Sequence, residues 1–235
     1  MKKTTQVSLS LLIALMLIPP MALKAQQKDK RSPFSIGADL VSSYVWRGTK
    51  FGSGPAIQPY LEVALGNLSI GGWGSYCFSR DESPEADLYI SYGFDFGLSV
   101  GITDYYFPGT PYFDYSSASG SHGFELNLAY ELAGLSIAAN YMLNEAGNAG
   151  TAGGDIYVEL GYSISNFSVF AGGGNGWHSM EDPLDSEEAD FSLCNVGISA
   201  SKEVKFTESF ALPMSASLIL NPDTEQFHIV VAASF

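Results

Sequence analysis

Six carboxylates and one arginine are the residues of this chain whose spacing could do chemistry. Asp39, Glu62, Glu85, Asp87, Glu125 and Glu159 each fall on the polar phase of a stretch that alternates apolar and polar residues. Arg47 lies on the same phase, in "SSYVWRG" (Ser42–Gly48), directly after Tyr44-Val45-Trp46. Carboxylates repeated on one wet face attract cations, and rings of them select cations in a pore. An arginine on a lipid-facing surface would cost roughly 2–4 kcal/mol at mid-membrane, whereas on the wet face it can pair with a carboxylate. Such a pair would either stitch the wall or set the constriction and field of a pore. Which of the six carboxylates Arg47 meets is open from the sequence.

Other constellations are weaker. "WHSMEDPLDSEEAD" gathers six carboxylates, among them Glu181, Asp182, Asp185 and Glu187. Oxygen-only clusters suit calcium, but the spacing is not that of an EF-hand, and a solvated loop accounts for it as well. Ser121-His122 and His178-Ser179 each set a hydroxyl beside an imidazole. Neither comes with an oriented acid, so no catalytic role and no cofactor are expected. Gly172-Gly173-Gly174 precedes no helix, so it reads as closely packed wall rather than a phosphate cradle. Cys77 and Cys194 are far apart, are expected on opposite faces of a sheet, and are expected to remain unbonded.

The elements that must position these residues are strands. In "EADLYISYGFDF", Ala86, Leu88, Ile90, Tyr92, Phe94 and Phe96 share one face, and Glu85, Asp87 and Asp95 lie on the other. Twelve segments with this period of two follow one another, at about 35–47, 56–66, 68–79, 85–96, 98–107, 123–132, 135–145, 154–164, 167–177, 190–201, 209–220 and 226–235. Their lengths cluster near the roughly 9–11 residues with which a tilted strand crosses a bilayer. Tight turns (Gly66-Asn67, Phe96-Gly97, Ala133-Gly134, Ser165-Asn166) alternate with longer polar connections, the exception being Lys202–Glu208, a long connection on the short side. That alternation is the mark of an outer-membrane barrel, with short turns on one side and loops on the other. Aromatics collect near both strand ends. Tyr44, Trp46, Tyr76, Phe78, Tyr106 and Tyr141 are expected in an outer girdle, and Tyr92, Phe94, Phe96, Tyr130, Tyr162 and Phe235 in an inner one. Pro59 and Pro213 fall inside strands, where each should force a bulge or irregular pairing.

Residues 1–25 read as a cleaved signal peptide: Lys2 and Lys3, an apolar run from Leu11 to Ile18, and small residues before Ala25/Gln26. After cleavage eight Lys and Arg stand against 25 Asp and Glu, a net charge of −17. Such acidity excludes nucleic acid as a natural partner. The expected organisation is a signal peptide (1–25), a short periplasmic segment (26–34) and one all-β, antiparallel transmembrane β-barrel of about twelve strands (35–235).

The chain resembles the TorF-family porins of Gram-negative bacteria. The resemblance rests on "SSYVWRG", "PAIQPYLEVA" (Pro55–Ala64), "GGWGS" (Gly71–Ser75), "DLYISYG" (Asp87–Gly93), "DYYFPGT" (Asp104–Thr110) and "LILNPD" (Leu218–Asp223), in that order. It implies an outer-membrane barrel with a pore, surrounded by outer-membrane lipid and lipopolysaccharide. The terminal Phe235 resembles the recognition signal of the barrel assembly machinery, and its deletion should lower membrane insertion. The expected function is passive passage of small solutes or ions, cation-leaning because the inward face is acidic. The alternatives are a non-conducting barrel whose acidic loops bind a partner or divalent cations and, more remotely, a lipid-modifying enzyme.

Overall fold

The computed structural model describes residues 33–79, 84–179, 190–208 and 210–235. The leader, nearly all of the segment 26–34 and the calcium candidates Glu181, Asp182, Asp185 and Glu187 lie outside them. The strands are β1 (Phe34–Val41), β2 (Tyr44–Trp46), β3 (Thr49–Phe51), β4 (Ala56–Leu65), β5 (Leu68–Cys77), β6 (Glu85–Gly93), β7 (Leu98–Tyr106), β8 (His122–Leu132), β9 (Leu135–Met142), β10 (Ile156–Ile164), β11 (Phe167–Gly174), β12 (Ser192–Lys205), β13 (Ala211–Asn221) and β14 (Gln226–Ser234). All but β2 and β3 form one closed barrel of twelve antiparallel strands, each paired with its neighbour in the chain. The seam joins β1 to β14. Asp39 there faces Ser234, and Ala38 and Phe235 exchange backbone hydrogen bonds of 3.3 and 3.0 Å. Phe235 thus helps to close the wall, a task separate from the assembly signal it resembles.

The period of two dictates the faces. Ile36 on β1 is 82 % exposed on the outside, and Leu61, Leu88, Leu160 and Ile229 are likewise exposed. The intervening Glu62, Asp87, Glu125 and Ser168 are buried in the interior. Leaving this much leucine and isoleucine outside is unfavourable in water and natural in lipid. Closure leaves no free ladder edge, as a strand in hydrocarbon requires.

One end of the barrel carries tight turns. Leu65↔Leu68, Leu132↔Leu135 and Ile164↔Phe167 bracket two-residue connections. The other end carries the longer connections, with two exceptions: residues 222–225 join β13 to β14 there in four, while at the tight-turn end 206–210 join β12 to β13 in five, the expected long connection Lys202–Glu208 being shortened because β12 runs on to Lys205. Neither proline bulges the wall. Pro59 pairs with Ala38 in unbroken register, and the β4–β5 ladder merely skips Gln58 and Pro59 without a shift. Pro213 pairs with Glu203, one residue before the β13–β14 ladder begins at Met214. The register shift lies instead at Gly172/Gly173 against β12. It turns both Cys194 and Asn195 into the interior, where each is buried. Cys77 is also interior, beside Gly54 and Ser79, so the cysteines share a face rather than oppose each other. Both are free thiols.

The wall glycines serve close packing. Gly37 pairs with Tyr60, Gly71 with Tyr89 and Gly197 with Phe170. A Cβ on any of the three would come within 2.7 Å of that ring. The rings therefore lie flat along the wall over backbone that has no side chain, a cross-strand arrangement that strengthens glycine-rich sheet. Aromatic bulk is kept against the wall instead of projecting across the lumen.

Candidate functional site

The first strand departs from its expected course. β1 ends at Val41, residues 42–43 bend, and the chain leaves the wall as a β2–β3 hairpin inside the barrel. Tyr44 and Trp46 are 6 % and 4 % exposed, so they belong to the interior and not to the outer girdle. The reason is local. Trp46↔Thr49 closes a two-residue turn in which Arg47 and Gly48 both have positive φ, 48° and 81°. That is the type I′ geometry whose twist matches a tight hairpin. Gly48 is required for space as well: a Cβ there would lie 1.8 Å from the Cys194 carbonyl oxygen of β12. Its own carbonyl oxygen accepts from Asn221 Nδ2 at 3.4 Å and lies 3.2 Å from His228 Nε2. The hairpin tip is thus lodged against β12, β13 and β14.

The hairpin fills the loop-bearing half of the lumen. Val45 packs on Phe170 and Ile219, with Val230 beside them. Trp46 and Tyr44 face the opposite wall. The Trp46 ring meets Tyr105 at 5.9 Å and Trp177 at 4.9 Å, and Tyr44 meets Trp73 at 5.6 Å. Trp177 sits in the short 3-10 turn Gly176–His178 after β11. It is tied down by its N–H to Asp155 Oδ2 (3.0 Å) and its indole N–H to the Ala149 carbonyl (3.1 Å). All three tryptophans of the chain are therefore buried at the hairpin and its seat.

Arg47 crosses to the wall and meets Glu125 of β8. Its Nη2 donates to both carboxylate oxygens, at 2.8 and 2.7 Å, with the arginine 4 % and the glutamate 0 % exposed. The Tyr105 hydroxyl donates to the same carboxylate at 3.2 Å. The guanidinium carbon lies 4.2 Å from the Trp46 ring centroid and 4.4 Å from that of Tyr157. Arg47 Nη1 contacts His178 Nδ1. An arginine only donates, so Nδ1 accepts and the proton of His178 sits on Nε2. Charge pairing, two aromatic faces and a neutral imidazole together satisfy a cation that would otherwise be costly to bury.

The other expected lumen residues are interior but are not gathered around Arg47. Glu62 accepts from the Tyr89 hydroxyl at 3.1 Å. Glu159 accepts from Tyr157 at 2.5 Å and from Asn195 at 2.9 Å. Glu85 bonds the Tyr44 hydroxyl. Asp87 is 2 % exposed and is hydrogen-bonded to the Glu85 carboxyl and the Tyr106 backbone. Asp39 lines the seam, half-buried. Toward the tight-turn end the interior is lined by small hydroxyls such as Ser168 and Ser199, whose Oγ atoms lie 2.6 Å apart. The expected turn-end aromatics stand on the outside: Tyr92, Phe94 and Tyr162 are exposed and Tyr130 is half-exposed. Tyr76, Phe78 and Tyr141 are exposed near the loop end.

The sequence reading missed the wall partners Tyr105, Tyr157, Trp177 and Asn195, which lie about 60 to 150 residues beyond Arg47. The one local signal was Gly48 at the second position of a two-residue gap between short β-rich runs, where a type I′ turn favours glycine. It also missed an acid–base pair on the outer face. His122 Nδ1 lies 2.9 and 3.1 Å from the two Asp104 oxygens, and its Nε2 lies 2.5 Å from the Tyr112 carbonyl. Its ring stacks on Tyr115 and Tyr106 at 4.5 and 5.2 Å. Acceptors occupy both ring nitrogens, so neither is left to take a proton from a serine. The cluster pins the 107–121 connection to the wall.

No curated protein matches this chain. A family model described as a bacterial protein of unknown function, Gcw_chp, matches residues 25–212, and with its closed twelve-stranded barrel the chain belongs to that family.

Proposed function

We propose that this protein spans the bacterial outer membrane and is a channel for small solutes or ions, selective toward cations. The observation that carries this reading is the charge of the interior. Asp39, Glu62, Glu85, Asp87, Glu125 and Glu159 lie on inward faces of the barrel strands, and the hairpin adds Arg47, whose charge is already used by Glu125. Interior carboxylates in excess of cations repel anions and concentrate cations. Supporting it are the apolar exterior, strands of 8 to 14 residues and the turn-and-loop asymmetry of the ends. The resemblance of "SSYVWRG" and "DYYFPGT" to TorF-family porins points the same way.

The hairpin supports a second reading, a stoppered barrel that does not conduct. A twelve-stranded barrel is intermediate between small filled barrels and open porins, so its width does not choose between the two. The engaged nitrogens of His122 argue against the enzymatic reading.

The test is single-channel recording of refolded protein in a planar bilayer, with reversal potentials under a salt gradient. Discrete steps with a cation-selective reversal support the channel. A folded, heat-modifiable barrel that stays silent, even with the hairpin residues 44–51 replaced by a short glycine linker, refutes it.

A further inference from the structure

Most of the pocket that holds Arg47 is built by the barrel, not by the hairpin. Glu125 of β8 grips the guanidinium through both oxygens, Tyr105 of β7 braces that carboxylate, and Tyr157 of β10 presents its face at 4.4 Å. His178 offers an acceptor nitrogen from the wall side. Both Glu125 oxygens accept from Nη2 while Nη1 meets His178 Nδ1, so two nitrogens of one plane are held by separate acceptors under an aromatic face, a spacing that a planar guanidinium spans and a single ammonium does not.

The occupant is attached in a way that lets it leave. β2 and β3 pair with each other and form a sheet separate from the barrel. Residues 42–43 link the hairpin to β1, and Gly52-Ser53-Gly54 lies between it and β4. The seat is also unlike a permanent core. Trp46 Nε1 and Thr49 Oγ1 of the hairpin are buried without hydrogen-bond partners. Native interiors seldom leave buried polar groups unpaired. These atoms and the carboxylates of the seat are suited to water or a solute once the hairpin withdraws.

We infer that this wall pocket is a binding site for guanidinium-bearing solutes, and that Arg47 occupies it as an internal competitor. The inference rests on the channel reading and names its solute class and regulation. A solute guanidinium that takes Glu125 displaces Arg47, the hairpin leaves the lumen, and Glu85 and Asp87 are uncovered along the path. Occupancy by the hairpin keeps the channel shut in the absence of such a solute.

The experiment measures tryptophan emission and acrylamide quenching of vesicle-reconstituted protein during titration with L-arginine, with L-lysine at equal ionic strength as control. Conductance is recorded on the same preparations. The wild type is compared with Arg47→Ala and with the isosteric Glu125→Gln. The expected result is a saturable red shift with arginine and not with lysine. Arg47→Ala should already be red-shifted without arginine, and its half-saturating concentration, read by equilibrium dialysis of labelled L-arginine, should lie at least tenfold below that of the wild type; binding should vanish in Glu125→Gln, all three remaining heat-modifiable. Arginine binding by Arg47→Ala with no response in the wild type would mark a cavity left by truncation and overturn the inference. So would equal responses to arginine and lysine. A saturable arginine response with no conductance in any variant would uphold the site and sink the channel reading. Steady conductance without any arginine response would do the reverse.

Discussion

Removing Glu125 should release the hairpin without unfolding the barrel. Glu125→Ala leaves Arg47 buried, with its charge opposed by no carboxylate. Breaking a buried pair from one side costs about 3–5 kcal/mol. The Trp46 and Tyr157 faces at 4.2 and 4.4 Å remain in the seated state. Both contacts are made before and after the substitution, so they offset none of the loss, which is at least about 3 kcal/mol. That shifts the balance between seated and released hairpin more than 100-fold toward release. The twelve-strand ladder makes no use of Glu125's side chain, so global unfolding should change little. Intrinsic fluorescence is a clean reporter, since Trp46, Trp73 and Trp177 are all buried at the hairpin or its seat. The variant should show red-shifted emission and faster acrylamide quenching while it stays heat-modifiable on gels. Arg47→Met/Glu125→Met should be less perturbed than Glu125→Ala, because it removes both charges and leaves neither stranded. Unchanged emission in Glu125→Ala would refute the assignment of this pair as the hairpin's anchor.

Gly48→Ala should also unseat the hairpin, through contact with Cys194 and strain at φ 81° of about 1–3 kcal/mol, and emission identical to the wild type would show that the wall yields there. Ala133 holds φ 51° in the turn between β8 and β9, a conformation that asparagine adopts readily. Ala133→Asn should therefore raise stability by about 0.5–1 kcal/mol, read as a higher urea midpoint for unfolding from vesicles. His122→Ala removes the Asp104 contact and two ring stacks, so chymotrypsin should cut faster at the exposed Phe113 and Tyr115 while the barrel survives. Unaltered cleavage would show that the connection is held by other contacts.

The alternation of residues by itself determined the barrel. Leu88, Ile90 and Tyr92 against Glu85 and Asp87 specify a wall with one dry and one wet side. Twelve such runs with alternating turns and loops favour a closed wall over a sandwich of two sheets, which would share the alternation but has no need of two aromatic girdles. Apart from the first strand, expected to run to residue 47 but ending at Val41, strand boundaries followed to within four residues, because register and period leave little freedom once one face is fixed. The tertiary structure alone decided where Tyr44 and Trp46 go. Continued from Ile36 and Leu40, their phase places them outside, and only the bend at residues 42–43 takes the chain off the wall. What draws them inward is an aromatic and charged seat assembled from Trp73, Tyr105, Glu125, Tyr157 and Trp177, residues that meet only when the barrel closes. The partner of Arg47 was undetermined for the same reason. Six carboxylates share its face, and the sequence carries no term for distance across a lumen. The hairpin's reach from β1 to β12, β13 and β14 selects Glu125 among them.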